Sequence, residues 1–393
     1  MSIRPMCLLM LLAYPGAWVR SGEPPPRFEL RAGDRVVLLG SGVIEQERRY
    51  GYLETCLSRR VPEGSLVFRN LGWAGDTVRG IARTGGYQNP EGFARLAKEV
   101  QDYKPTVLFI GYGMNESFDG PAGLPGFRED YGKLLAKLAP LKARILLLSS
   151  TYQEDLGRPF PDPAAHNRDI DKYNSVIHKL AEEHKLPYVE LAWTLLASKR
   201  AEPDKRLTTN GLQLNEAGSK LVARVIEDQL GLPMRRWRVE LDAAGKVIAS
   251  EGAKIDKVAT TKEGIRLQAT DRMLAAGDGQ YLKVVGLPAG EYALKMDGKS
   301  LFKTSADNWQ RGLVFVDDLM TADAEPLRQA IIVNNDLFYR RWRPFNDHSR
   351  HWGFIGGDGK LYDQEMAAQE KIIAERRRPR SHQYEVVRVG DAK

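Results

Sequence analysis

The sequence predicts a three-layer α/β fold on a parallel sheet, followed by a small antiparallel β unit and a C-terminal helical tail. Three observations carry that expectation. Short apolar runs without polar alternation recur between residues 28 and 232, as strands buried on both faces require. Stretches with apolar residues at helical spacing separate them, and such alternation makes a parallel sheet covered by helices. Beyond Pro233 the texture changes to short alternating segments broken by Gly and Asp, which marks antiparallel turns.

The elements follow in order. Arg35-Val36-Val37-Leu38-Leu39-Gly40 reads as a buried first strand, with a helical stretch over 50–57. Residues 67–71 form a short strand, and 106–110, 144–149 and 187–191 supply three more. Helical patterns cover 93–101, 127–138, 170–184 and 216–230. In the β unit, 237–241 alternates before the turn Asp242-Ala243-Ala244-Gly245, and 281–285 and 291–296 make a strand, loop and strand closed by Asp297-Gly298. From about 325, Leu327, Ala330, Ile331, Asn334, Leu337 and Phe338 keep helical spacing, and this helix is expected to pack back on the first domain. The expected divisions are 1–25, 28–232, 233–324 and 325–393.

Residues 1–25 read as a secretory signal: Arg4, an apolar core over 7–13, small residues, then Pro24-Pro25-Pro26. That core is too short to span a bilayer. The expected location is therefore secreted or periplasmic, with no integral membrane segment after signal removal and Cys56 as the remaining cysteine. The formal charge of +7 is mild for this length and is concentrated late, in Arg340-Arg341-Trp342-Arg343 and Arg376-Arg377-Arg378-Pro379-Arg380. These clusters are either solvated helix ends or contacts for an anionic glycan or surface. No nucleic-acid motif accompanies them, so no nucleic-acid partner is expected. Neither a phosphate loop nor a dinucleotide glycine pattern is present, so no cofactor is expected. His348 and His351 have metal-ligand spacing without a third ligand beside them, so no metal is expected.

Four blocks fall at successive strand ends, where ligands of such sheets bind. They are Leu38-Leu39-Gly40-Ser41-Gly42, Asn70-Leu71-Gly72-Trp73-Ala74-Gly75-Asp76-Thr77, Gly111-Tyr112-Gly113-Met114-Asn115-Glu116, and Leu207-Thr208-Thr209-Asn210-Gly211-Leu212-Gln213-Leu214-Asn215. In content and order they resemble the SGNH/GDSL hydrolases, flavodoxin-like ester hydrolases, over about 28–230. The resemblance implies an enzyme acting on ester bonds, including those of acylated carbohydrates. It implies Gly75 N–H and the Asn115 side chain as oxyanion donors. It also implies that the nucleophile, carboxylate and imidazole of the family fall at Gly42, Asn210 and Gln213. The wider texture is similar to a branch found in secreted proteins of planctomycete-like bacteria, in which Gly-Tyr-Leu-Glu-Thr, Arg-Asn-Leu-Gly-Trp and Asn-Glu-Ser-Phe recur.

The three replacements decide the chemistry. Acyl transfer on this plan needs a hydroxyl nucleophile, an imidazole base and a carboxylate to orient it. Glycine has no nucleophile, glutamine has no useful pKa, and asparagine cannot stabilise an imidazolium. One reading is an impaired or inactive homologue that binds a small-molecule or glycan ligand. A second is an active esterase that uses Ser41, otherwise a helix cap, with a displaced base such as His166 from the loop after the strand at 144–149. A third is a non-catalytic interaction protein of the envelope. Asp76, Glu45 and Glu116 are further acid–base candidates, otherwise caps and surface pairs. Trp73, Tyr112, Phe118 and Tyr152 either stack on a sugar or close the site, and Trp342 and Trp352 lie over the same mouth if the tail folds back.

Overall fold

The computed structural model describes residues 28–83, 91–232, 236–275, 279–315, 318–343 and 359–390. Its first sheet is parallel throughout, with strands β1 (Asp34–Gly40), β2 (Leu66–Asn70), β3 (Val107–Gly111), β4 (Arg144–Leu148) and β5 (Tyr188–Val189) in the order β2-β1-β3-β4-β5. The apolar runs make this arrangement. In β1, Val37 and Leu39 enter one core with Leu108, Ile110 and Leu147, while Val36 and Leu38 enter another with Phe109, Leu146 and Leu148. Side chains alternate across the sheet, so a strand with both faces covered must be apolar at every step.

Helices α1 (Gly42–Tyr50), α2 (Tyr52–Ser58), α6 (Ala192–Ala201) and α7 (Glu216–Gln229) contribute to the second core. Helices α3 (Glu91–Asp102), α4 (Leu124–Leu138) and α5 (Ala164–His184) contribute to the first. Gly51, at φ +65°, ends α1 in the left-handed conformation and turns the chain into α2.

The β unit is two sheets sharing one core of Trp237, Val239, Leu267, Leu282, Leu294, Tyr384 and neighbours. One sheet orders β13 (Leu313–Phe315), β10 (Gln280–Val285), β6 (Trp237–Asp242) and β7 (Val247–Glu251), with β10 and β6 parallel. The other orders β12 (Lys299–Ser305), β11 (Glu291–Met296), β14 (Ser381–Gly390), β9 (Gly264–Asp271) and β8 (Ala253–Thr261), all antiparallel. Helix α8 (Ala306–Arg311) links β12 to β13. The segment after 325 was expected to be helical, and it is so in α9 (Asp318–Trp342) and α10 (Gly359–Arg376). Residues 381–390 differ: they form a central strand, because Tyr384 and Val386 alternate inward and both neighbouring strands offer open backbone groups.

Helix α9 packs back on the α/β unit as expected. Phe338 and Trp342 join the first core, Arg328 Nη1 donates to Tyr50 O at 2.8 Å, and Asn335 Nδ2 donates to Glu54 Oε2 at 3.0 Å. At the far end, His382 of β14 lies between Asp297 (Nδ1 to Oδ2, 2.8 Å) and Asp323 of α9 (Nε2 to Oδ2, 2.6 Å). Of the late basic clusters, Arg343 turns inward onto Glu45, while Arg340 with Asp336, Arg341 with Asp363 and Arg380 with Asp323 form pairs at the surface.

Glu47 and Glu54 are buried where α1 and α2 meet α9, and the Glu54 N–H donates to Glu47 Oε1 at 3.0 Å. Burial pushes both carboxyls up to about 8. Between the ordinary carboxyl value and about 8, the folded protein keeps protons that the unfolded chain has released, so stability falls as pH rises through that window. His382 acts in the same direction. Burial lowers its pKa, but Asp323 and Asp297 raise it by more, so its contribution is lost as pH rises through its folded value. Urea unfolding is therefore expected to give lower stability at about pH 8 than at about pH 5. Glu54→Gln, which still accepts from Asn335, flattens part of that slope, and an unchanged slope would count against the buried-carboxyl explanation.

Candidate active site

The strand order switches between β1 and β3, the place where sheets of this kind bind ligands beyond the carboxyl ends of the strands. Gly40 pairs with Gly111, and a Cβ at Gly40 would lie 2.3 Å from the Gly111 carbonyl oxygen, so the two backbones meet too closely for a side chain. Ser41 donates its N–H to Gly111 O at 3.1 Å. It takes the N-cap position of α1, but its side chain makes no capping bond, its φ and ψ of −95° and −144° departing from the extended backbone of a capping serine. Gly42 is the first residue of α1, and a Cβ there meets nothing within 4 Å. Packing therefore requires glycine at 40 and leaves position 42 open.

The second block is pressed onto α1. Asn70 Nδ2 donates to Ile44 O at 2.7 Å, and a Cβ at Gly72 would lie 2.4 Å from Glu45 N. The Ala74 N–H donates to the Glu45 carboxylate. Gly75 turns the chain at φ +84°, and its N–H has no acceptor among the described residues. Asp76 is fully buried: Oδ1 accepts from Ala82 N–H at 3.1 Å, and Oδ2 accepts from Arg83 Nε at 2.8 Å and Tyr112 OH at 3.1 Å. Arg83 also donates to Leu71 O at 2.9 Å and Glu99 at 2.6 Å. Burial opposes its charge, but Asp76, Tyr112 and Glu99 raise its pKa above the ordinary value.

The third block docks on the second. Asn115 Nδ2 donates to the Asp76 carbonyl oxygen at 2.6 Å, which sets that amide beside Gly75 and leaves its second hydrogen free of this bond. Glu116 accepts from Val78 N–H and Gly113 N–H, both at 2.9 Å, and burial pushes its carboxyl up to about 7. Glu45, Asp76 and Glu116 each hold loop backbone, Asp76 also holds the buried Arg83, and Glu45 pairs with the part-buried Arg343. Backbone anchoring, close to the alternative of caps and pairs, is the role their contacts give them.

In the fourth block, Thr209 N–H donates to Gln213 O at 2.8 Å, and Asn210 Oδ1 accepts from the N–H groups of Leu212 (3.1 Å) and Gln213 (2.8 Å). Asn210 thus shapes its own turn, and the Asn210 and Gln213 side chains are exposed. Buried Glu154 holds this loop by accepting from the Thr208 N–H at 2.7 Å, and the Glu154 N–H donates to Gly211 O at 2.8 Å.

His166 lies in the first turn of α5, half-buried. The sequence pairs it with Ser41; the structure brings it to Ser117. Its Nε2 is 2.8 Å from Ser117 Oγ, its Nδ1 is 2.8 Å from Gln153 Oε1, and the Phe118 ring stacks on it at 3.9 Å between centroids. Burial lowers the His166 pKa, opposed by Asp169. Asn167 clamps the Gln153 backbone through both amide atoms, at 2.8 and 3.0 Å. Ser117 is invisible to sequence reasoning because it lies 49 residues from His166.

The tail reaches this region. Trp342 meets Trp73 edge to face at 5.6 Å, and the Arg343 guanidinium lies 3.4 Å from the Trp73 ring centroid while donating to Glu45 at 3.3 Å. Tyr112 is buried on Asp76 and Arg83, whereas Tyr152 meets Trp193 edge to face at 5.6 Å beside a cavity of about 550 Å³. The 1–25 segment, His348, His351 and Trp352 lie outside the described residues. Among the described residues no group of three His, Cys, Asp or Glu side chains is placed to hold a metal, and no helix is long and apolar enough to cross a membrane.

Sheet order and the four strand-end loops define an α/β protein built on a doubly wound parallel sheet. Residues 33–221, just under half of the chain, match the model of the GDSL-like Lipase/Acylhydrolase family. A gut microbial diltiazem-metabolizing enzyme superposes with a TM-score of 0.74 at 14% identity, covering 94% of this chain and 100% of that one. The β unit and tail therefore share that protein's fold as well. A catalytic mutant of an acetylxylan esterase from Geobacillus stearothermophilus gives a TM-score of 0.43 at 20% identity, over 52% of this chain and 98% of that one. An α/β hydrolase from the metagenome of Lake Arreo gives 0.40 at 20% identity, over 51% and 97%. No curated protein matches the sequence.

Removing one partner of a buried ion pair strands the other charge, at about 3–5 kcal/mol. Arg83→Met is expected to destabilise the protein by that amount in urea unfolding, because it strands Asp76 and Glu99. A loss under about 1 kcal/mol would show the pair to be dispensable.

Proposed function

We propose that this protein binds an ester-bearing ligand, an acylated carbohydrate, in the crevice at the β1/β3 switch point, and that the family's own triad is silent in it. The observation that carries the reading is position 42. The nucleophile of the family falls on a glycine in open space, at the start of α1 and at the switch point of the sheet. Gly75 N–H and the Asn115 amide serve as the donors for a carbonyl oxygen. Asn210 and Gln213 occupy the positions of the carboxylate and the base, and neither side chain can carry a proton in the required direction. In serine proteases, removing a triad member leaves only ~10³ over the uncatalysed reaction, supplied by binding and the oxyanion donors. The cavity beside Tyr152, Gln153 and Trp193 suits a sugar, because Trp193 is 56% exposed and presents a ring edge-on to Tyr152 among polar groups.

The test restores what the crevice lacks. Gly42→Ser, Asn210→Asp and Gln213→His together are expected to raise hydrolysis of aryl acetates and acetylated sugars at least ~10²-fold over the natural chain. The open space at 42 predicts that Gly42→Ser alone leaves the unfolding midpoint unchanged. A triple variant that folds and hydrolyses no faster than the natural chain would sink this assignment of the three positions.

A further inference from the structure

We propose that Ser117, His166 and Gln153 form a second nucleophile–base–orienter set at the rim of the same crevice, with Ser117 as the acyl acceptor for a short-chain carboxylic ester. The inference rests on the reading of the crevice as an ester site, and it places the chemistry on residues outside the family's triad.

The geometry is that of a relay. The Gln153 amide oxygen only accepts, so the bond at 2.8 Å places the proton on His166 Nδ1 and turns the lone pair of Nε2 toward Ser117 Oγ, also at 2.8 Å. An amide is a sufficient orienter: the papain-like Cys-His-Asn arrangement uses one. Gln153 is itself fixed, through the Asn167 clamp on its backbone and the packing of its side chain against Gly211. Burial keeps the imidazole neutral near pH 7, the form that accepts a proton. The Ser117 hydroxyl has one other acceptor, Met114 O at 2.7 Å, which holds Oγ in place when the proton is not directed to Nε2.

The location fits the chemistry. Ser117 stands two residues beyond Asn115, in the short helical segment Glu116–Gly123 that Asn115 caps, so a carbonyl carbon brought to Ser117 stays within the loop that carries the amide donor. Ser117 is 1% exposed, and the next residue, Phe118, is 59% exposed with its ring stacked on His166. Removing that ring uncovers one face of the imidazole.

The step balances as ordinary acyl transfer. Ser117 Oγ bonds to the ester carbonyl carbon while its proton passes to His166 Nε2. The tetrahedral intermediate collapses, the C–O bond to the alcohol breaks, and the imidazolium returns the proton to the leaving oxygen. Water, deprotonated by the same nitrogen, then hydrolyses the acyl-serine and regenerates the hydroxyl.

A fluorophosphonate probe tests this on the full chain, with the modified residue mapped by peptide mass spectrometry. Expected is a stable adduct on Ser117, formed faster in Phe118→Ala and absent in Ser117→Ala. His166→Gln can still hydrogen-bond Ser117 but cannot take its proton, and it is expected to slow labelling ~10²-fold or more at an unchanged unfolding midpoint. An unmodified Ser117 in both the natural chain and Phe118→Ala overturns the proposal. The triple variant at 42, 210 and 213 separates the causes. If its introduced serine takes the probe while Ser117 does not, the crevice admits esters and only the relay is wrong. If neither is modified, the ester-site reading falls with it.

Discussion

The buried pair of Asp76 and Arg83 is the interaction on which the rest of the crevice depends. Arg83 gathers the Asp76 carboxylate, the Leu71 carbonyl and Glu99 into one charge cluster with no exposed guanidinium surface. Two charges so deep are held only if every remaining group is also bonded, and here Tyr112 and the Ala82 N–H complete the set. The consequence is positional. With Asp76 immobile, its carbonyl oxygen anchors Asn115, and the Gly75 N–H before it is held beside that amide. Arg83 also lies 5.6 and 5.7 Å from the Trp73 and Trp342 ring centroids, so the end of α9 is seated on the same cluster.

The surrounding loops follow from that anchor. Glu45 ties α1 to the second loop and to Arg343, Glu116 ties the third loop to the second, and Glu154 ties the fourth loop to the segment after β4. Acidic residues that suggest acid–base chemistry in the sequence are therefore the fasteners of four strand-end loops. The hydrogen-bonded serine and histidine of this region sit one layer outward, on the segment after Asn115 and the start of α5. In the resembled family the imidazole falls at Gln213, an exposed side chain on a turn, while His166 is half-buried with both ring nitrogens engaged.

Much of the fold was legible in the sequence. Buried strands and amphipathic helices leave local periodicities, so the parallel sheet, the helical patterns over 93–101, 127–138, 170–184 and 216–230, and the change of texture near 233 could all be read from short windows; the first turn of α5, which carries His166, reads as a loop in the sequence. Strand 381–390 could not, because its place between β9 and β11 depends on partners 88 to 123 residues earlier, though its alternating Tyr384 and Val386 carry the period. Nor could Arg343 at Glu45, a contact spanning 298 residues.

The sequence by itself determined the layered α/β fold, the four strand-end blocks and the identity of the residues at 42, 75, 115, 210 and 213, because these follow from local pattern and order along the chain. Only the tertiary structure decided that position 42 is open, that Asp76, Glu45 and Glu116 hold backbone, and that His166 meets Ser117 and not Ser41. Those outcomes depend on distances between loops carried by different strands. Such distances are set by sheet register and by where a few buried charges find partners, and neither is written in any single stretch of residues.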